Sequence, residues 1–186
     1  MAIICLRVPH EVTRLLDTID VPGSRVLGSE KHVTVLHLGD DVPIDTLSSA
    51  VAAIYNVTSN WKPFSAMLDR IESFPKNEDG VPIIMPVTSP ELLELHAALS
   101  KSLDEVGVSY SKKFPEYKPH VTLSYAEKAK GLGTIEPLEW GVFDVILWGG
   151  EQGDGRLSAV FPFSLPGKTA LYRQLVRLRS RHVSAQ

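Results

Sequence analysis

Two short stretches of this chain nearly repeat each other, and both have the composition of a β-strand. They are KHVTVL at 31–36 and KPHVTLS at 118–124, and their histidines lie 88 positions apart. Side chains two positions apart on a strand project from the same face, so each stretch presents an imidazole beside a hydroxyl, with apolar residues on the other face. The repeat predicts two similar half-domains that each contribute one such strand.

The rest of the chain predicts an α+β protein in which strands and helices alternate. Apolar runs bounded by turn residues predict strands at 3–8, 32–38, 64–74, 81–87, 121–125, 142–148 and 157–163, with 64–74 and 81–87 forming a hairpin. Helical spacing predicts helices at 11–19 and 44–55. A further helix is predicted after the capping residue Ser89, with Pro90 in its first turn and Gly107 at its end.

We expect one two-lobed domain over residues 1–166 and a basic tail over 167–186, which Leu171, Leu175 and Leu178 predict to be an amphipathic helix. All 22 acidic residues precede Lys168, and five of the 19 basic ones follow from there. The body of the chain therefore lacks the broad basic face of a non-specific nucleic-acid binder, and a polyanionic ligand must be held by a few local groups.

The sequence also limits the location of the protein. It contains no run as long and apolar as a membrane span, and its start lacks the features of a signal peptide. The single cysteine, Cys5, excludes an internal disulfide and a cysteine-rich zinc site. We expect a cytoplasmic protein that does not bind membranes; the oligomeric state is open, with a monomer favoured.

Two His-x-Thr pairs suit acid–base chemistry at a phosphodiester. If the two strands lie side by side, His32 and His120 supply two groups that exchange protons near neutral pH, and Thr34 and Thr122 supply hydroxyls for an anion. One neutral imidazole can take a proton from the attacking oxygen while the other, protonated, donates to the leaving oxygen. Either pair alone is weak evidence, because single His-x-Thr patterns are common in structural strands. No carboxylate cluster for a metal is evident, and we expect neither a metal nor another cofactor.

These motifs resemble those of a known family. HVTVLHLGD at 32–40 and PHVTLS at 119–124 are similar to the paired His-x-Thr motifs of the two-histidine (2H, LigT-like) phosphoesterase superfamily, and the resemblance covers roughly residues 3–165. It implies a bilobal, pseudo-symmetric α+β fold in which two antiparallel sheets flank a central cleft and helices lie outside. It further implies that His32 and His120 form the acid–base pair, that Thr34 and Thr122 bind phosphate, and that no metal is needed.

The resemblance implies hydrolysis of a 2′,3′-cyclic phosphate, a 2′–5′ linkage or a cyclic di- or oligonucleotide. The substrate would be a small nucleotide, a cyclic oligonucleotide or an RNA end. Some phage-borne relatives destroy cyclic oligonucleotide signals to defeat bacterial immunity, and this chain could do the same. Two other functions stay open: a module that binds nucleotides or RNA ends without cleaving them, and an assembly protein that acts through its basic tail.

The loop before the second motif offers further candidate substrate contacts. Lys113, Phe114, Tyr117 and Lys118 are of the types that pair with phosphate or stack on bases, although a merely solvated loop fits as well. Strand parity predicts that His37 faces away from His32, which argues against a zinc site that uses both. The same parity places Tyr125 off the face of His120 unless the strand bulges.

Overall fold

The structure, a computed structural model, describes residues 1–114, 116–129, 132–149 and 157–164. Within these residues it contains three α-helices, α1 (His10–Leu16), α2 (Ile44–Thr58) and α3 (Pro90–Glu105). Its strands are β1 (Ala2–Arg7), β2 (Ser24–Arg25), β3 (His32–Gly39), β4 (Phe64–Ser73), β5 (Val81–Pro86), β6 (His120–Ala126), β7 (Gly133–Val142), β8 (Asp144–Gly149) and β9 (Leu157–Pro162). A 3₁₀ turn, Gly28–Glu30, leads into β3.

The strands pair antiparallel in the order β7-β4-β5-β6-β3-β1-β8-β9, and β2 adds to β6 outside this path. The path is symmetric about its centre: four strands on one side mirror four on the other, and each half contributes one repeated motif at the junction. There, β3 pairs with β6 through Val33 and Val121. The predicted antiparallel α+β architecture with two related halves is confirmed, and the halves are joined along one hydrogen-bonded path.

The helices and most strands form where the sequence predicts them. The Ser89 hydroxyl accepts a hydrogen bond from the Leu92 amide and so caps α3, as expected for a serine before a proline at the first turn. The apolar faces of β3, β6, α2 and α3 belong to one buried cluster, in which Val33, Ile54, Leu99 and Val121 are fully buried. Burial of this face orients the other face of β3 and β6 away from the core.

Two strands were not predicted. β7 carries Pro137, is largely exposed, and pairs only with β4 at the edge of the sheet, with an irregular register between Leu68 and Arg70 of β4. Proline cannot donate to a ladder, so edge strands are where it is tolerated. The mostly exposed β7 lacks the apolar alternation that predicts a strand. β2 is two residues long and is defined by its pairing with β6, a tertiary contact with no local signal.

The predicted tail helix and most of the GGEQGDG segment at 149–155, which separates the last two strands, lie outside the described residues. None of the helices in the described ranges combines the length and the apolar character needed to cross a membrane.

Candidate active site

The two repeated motifs meet at the junction between the halves. Because Val33 pairs with Val121 in antiparallel register, the neighbouring positions bring His32 opposite Thr122 and Thr34 opposite His120. Val33 and Val121 are fully buried, so alternation places these four polar side chains together on the opposite face. The structure therefore brings together the four residues at the centre of the predicted site.

Both imidazoles are held in the same way by the backbone. The Nδ1 atom of His32 lies 2.6 Å from the Glu30 carbonyl oxygen, and that of His120 lies 2.7 Å from the Lys118 carbonyl oxygen. A carbonyl oxygen only accepts, so Nδ1 of each ring carries the hydrogen and donates it. This fixes the tautomer, since the neutral form of each ring then has an unprotonated Nε2, the nitrogen that can exchange protons with a ligand.

Each imidazole also meets an aromatic ring edge-on. The His32 ring centroid lies 5.6 Å from that of Trp148 on β8, and the His120 centroid lies 4.7 Å from that of Phe74, with interplanar angles of 86° and 85°. Burial lowers the pKa of both histidines, only partly offset by the carbonyl hydrogen bonds, and the charge of His32 lowers the pKa of His120 further. The charge of His32 thus acts on His120 across the cluster.

A β-bulge in each motif strand places one more side chain on this face. On β3, Thr34 pairs with Cys5 and Leu36 with Ile4, so that Val35 is the extra residue; Val35 and Leu36 are both buried. The bulge reverses the parity beyond it, and His37, paired with Ile3, lies on the face of His32 and Thr34. The prediction that His37 faces away from His32 is therefore wrong, and so is the parity argument against a zinc site.

β6 repeats this bulge at the equivalent position. Thr122 pairs with Ile84 and Ser124 with Ile83, which leaves Leu123 as the extra residue. Tyr125, 88 positions after His37, consequently lies on the face of Thr122. Burial raises the pKa of the Tyr125 phenol, followed by the charge of Asp79, while the nearby Thr122 hydroxyl lowers it. The sequence predicted Tyr125 on this face only if the strand bulges, and β6 contains that bulge.

An ion pair between the buried Lys31 and the exposed Asp17 anchors the segment that holds His32. The Lys31 side chain is 2% exposed, and its Nζ lies 2.5 Å from Asp17 Oδ1 and donates to the Val26 carbonyl oxygen at 2.7 Å. These contacts fasten the turn before β3 to the segment after α1. That turn contains the Glu30 carbonyl, which accepts the hydrogen bond from His32 Nδ1. The ion pair therefore also helps to hold this carbonyl in position.

In the loop before the second motif, Tyr117 is held by the protein and Lys118 is exposed. The Tyr117 phenol donates to the Thr34 carbonyl oxygen at 3.0 Å, and its ring stacks on His96 at 4.0 Å. Its hydroxyl is thus engaged with the strand that carries Thr34, a positioning contact rather than a free substrate contact. Lys118 pairs with Glu116 at 3.2 Å and remains largely exposed.

Lys113 and Phe114 lie further out on the same loop. The Lys113 ammonium is 5.6 Å from the Phe114 ring centroid, and Phe114 is 75% exposed. Neither side chain lines the pocket beside His32 or the pocket beside His120. The structure does not bring these two residues to the four-residue cluster, and their predicted contact with substrate stays a prediction.

The two pockets that flank the cluster, one beside each histidine, are similar in size. The first, of about 540 Å³, is lined by His32 with Arg7, Arg14, Lys31 and Trp148. The second, of about 530 Å³, is lined by His120 with Arg70, Phe74, Tyr117 and Lys118. Both volumes fall in the range of small-molecule sites. A phosphate at the cluster would therefore have room for a substituent on either side.

No group of three or more His, Cys, Asp or Glu side chains in the described part of the chain is arranged to hold a metal ion. The sequence did not predict Trp148 on β8, Phe74 just after β4 or Arg7 on β1, which carry no local motif. His37 and Tyr125 occupy equivalent positions, 88 residues apart, but no residue type in either strand indicates the bulge that places them on this face.

Known structures share this fold. A protein of Thermus thermophilus, TT0787, superposes with a TM-score of 0.71 at 24% identity, covering 90% of this chain and 98% of that one. LigT of E. coli in its apo form gives a TM-score of 0.61 at 18% identity, covering 88% and 94%. The ns2 PDE domain of MHV gives 0.50 at 14% identity, covering 91% and 92%. At these identities the likeness establishes the fold.

The sequence itself identifies the family. No curated protein matches the chain, but the family model of the 2′-5′ RNA ligase superfamily matches residues 23–145, a span that includes both His-x-Thr motifs and both bulges. The chain therefore belongs to the 2′-5′ RNA ligase superfamily, the LigT-like two-histidine phosphoesterases.

Proposed function

We propose that this protein is a metal-independent phosphodiesterase that hydrolyses a nucleotide phosphodiester: a 2′,3′-cyclic phosphate, a 2′–5′ linkage or a cyclic di- or oligonucleotide. The observation that carries the proposal is the pairing of two imidazoles whose Nδ1 atoms are both held by backbone carbonyls. Both Nε2 atoms are thereby left for proton transfer on one face of the sheet. A paired base and acid is what an in-line displacement at phosphorus needs.

In the proposed reaction one neutral imidazole accepts a proton from the attacking water as its oxygen bonds to phosphorus. The other, protonated imidazole donates a proton to the ribose oxygen as its bond to phosphorus breaks. Water is consumed, a phosphomonoester and a free hydroxyl are formed, and solvent returns both rings to their starting states. Thr34 and Thr122, across from the histidines, donate hydrogen bonds to the non-bridging oxygens, where negative charge accumulates.

The ligands of LigT and the positions of two loop residues also support the proposal. LigT of E. coli has been crystallised with 3′-AMP and with ATP. This supports a nucleotide ligand for the present protein as well. Lys118 and Tyr117 line the pocket beside His120, so we place them near the substrate, with Tyr117 acting through Thr34. A monomer in the cytoplasm, the state predicted from the sequence, is part of the proposal.

A substrate panel tests the proposal. Purified protein is incubated in EDTA with 2′,3′-cyclic mononucleotides, 2′–5′ oligoadenylate and cyclic dinucleotides, beside a His32→Ala/His120→Ala double variant that reports contaminating activity. We expect the wild type alone to turn over at least one class, with no loss of rate to the chelator. Turnover that EDTA abolishes would contradict the metal-independent mechanism. Tight binding without turnover would instead select the non-catalytic binding module.

A further inference from the structure

The two pockets beside the histidines differ in how their positive charges are neutralised. In the pocket beside His120, Arg70 Nε lies 2.7 Å from Glu72 Oε1 and its Nη1 lies 3.0 Å from Asp69 Oδ1. The other cation there, Lys118, pairs with Glu116 at 3.2 Å. The cations of this pocket are therefore already matched by carboxylates of the protein.

The pocket beside His32 holds two arginines without such partners. Lys31 is neutralised by Asp17, but neither Arg7 nor Arg14 forms an ion pair or a hydrogen bond with any residue that the structure describes. Asp144 lies near enough to Arg7 for the arginine to lower the pKa of that carboxyl, against the larger rise caused by burial, yet it makes no ion pair with it. Two guanidinium groups thus line this pocket with no carboxylate bonded to either.

The position of these arginines relates them directly to the cluster. The Cα atoms of Arg7 and His32 are partners across β1 and β3, which places them about 5 Å apart. Arg14 comes from α1 and lines the same pocket as Arg7 and His32. Trp148 and Ile146 supply apolar surface in the same pocket, and Trp148 contacts the His32 ring edge-on. An anion held by both arginines would therefore lie in the pocket beside His32.

We propose that Arg7 and Arg14 form a subsite for a second phosphate, so that the preferred substrate carries a further phosphate one nucleoside away from the scissile one. The inference rests on the proposed function, since it assumes that the first phosphate lies between the histidines. It also orients the substrate: the part that carries the second phosphate lies beside His32, and the part without a further phosphate lies beside His120. Guanidinium groups bind phosphate oxygens in a bidentate manner, which makes unpaired arginines suited to this task.

Equilibrium binding tests the subsite without requiring turnover. Calorimetry compares adenosine 3′-monophosphate with adenosine 3′,5′-bisphosphate, in the wild type and in an Arg7→Gln/Arg14→Gln double variant. We expect the wild type to bind the bisphosphate about tenfold more tightly, with the preference falling to about twofold in the variant, because a charge-assisted contact at a partly solvated site is lost. Lys101→Gln, which removes one positive charge on the exposed face of α3, should keep the full preference.

Three outcomes overturn the subsite: equal affinities in the wild type, a preference that survives in the double variant, or failure of both ligands to bind. A selective loss in Arg70→Gln would overturn the orientation. The substrate panel judges the catalytic proposal separately. Turnover without a bisphosphate preference would reject the subsite alone, and a preference without turnover would reject the catalytic assignment alone.

Discussion

Replacing His120 or His32 by alanine is expected to lower kcat on the best substrate of the panel by about a thousandfold or more, within the range by which a positioned acid or base accelerates proton transfer. One ring accepts a proton from the attacking water and the other donates a proton to the leaving oxygen, so neither can compensate for the other. The measurement is kcat under saturating substrate for each single variant.

Two controls separate catalysis from folding. His120→Asn retains a side-chain N–H that can donate to the Lys118 carbonyl but has no equivalent of Nε2, so it should be as inactive as the alanine variant. Both rings are only half-buried, and loss of one edge-on aromatic contact should cost about 1 kcal/mol of unfolding free energy, a shift of a few degrees in Tm. An active asparagine variant, or an alanine variant that no longer folds, would show that the ring is structural.

Thr34→Val and Thr122→Val are each expected to lower kcat about a hundredfold, as removal of one donor to a developing negative charge does in other enzymes. Valine keeps the branched shape and the strand preference of threonine, so the substitution removes little besides the hydroxyl. The effect should fall on kcat more than on KM, because the hydrogen bond strengthens as charge accumulates in the transition state.

The matched control for the threonines is Thr46→Val, in the first turn of α2, a helix whose buried side chains belong to one cluster with Val33 and Val121, on the face opposite the histidines. It should leave kcat unchanged within about twofold, as a surface substitution away from the site does. Thr34→Val and Thr122→Val variants with unchanged kcat, or with losses confined to KM, would show that the hydroxyls bind substrate in the ground state only or do not contact it.

The repeated motif predicted the centre of the site because strand alternation is a local property. Once the sequence shows two His-x-Thr pairs in apolar strands, the shared face of each pair follows, and the junction at Val33 and Val121 confirms it. Parity failed beyond the motifs, at His37 and Tyr125, because a bulge depends on how a strand pairs with its neighbour. No residue type in either strand marks the extra residue.

The walls of the site could not be predicted for a related reason. Trp148 on β8, Phe74 just after β4 and Arg7 on β1 come to the histidines from other parts of the chain. Their roles depend on the order of the strands in the sheet, which cannot be read from one sequence. The carbonyl contacts that fix both imidazoles are equally invisible in the sequence, since every residue has a carbonyl and only the backbone path aims it. The four-residue centre was predictable; its tautomers, its pockets and their charges came from the structure.

The central claim is that one phosphate contacts both imidazoles, and histidine NMR tests it most directly. Nitrogen chemical shifts of His32 and His120 are followed against pH in the free protein and with saturating adenosine 3′-monophosphate. In the free protein we expect both rings to carry the Nδ1 hydrogen and to titrate below the ordinary histidine value of about 6.5, because burial disfavours the charged form.

Bound ligand should raise the pKa of both rings together, because a phosphate between them favours each imidazolium. A ligand that raises the pKa of one of the two histidines and leaves the other unchanged would contradict the shared phosphate, and with it the two-histidine mechanism.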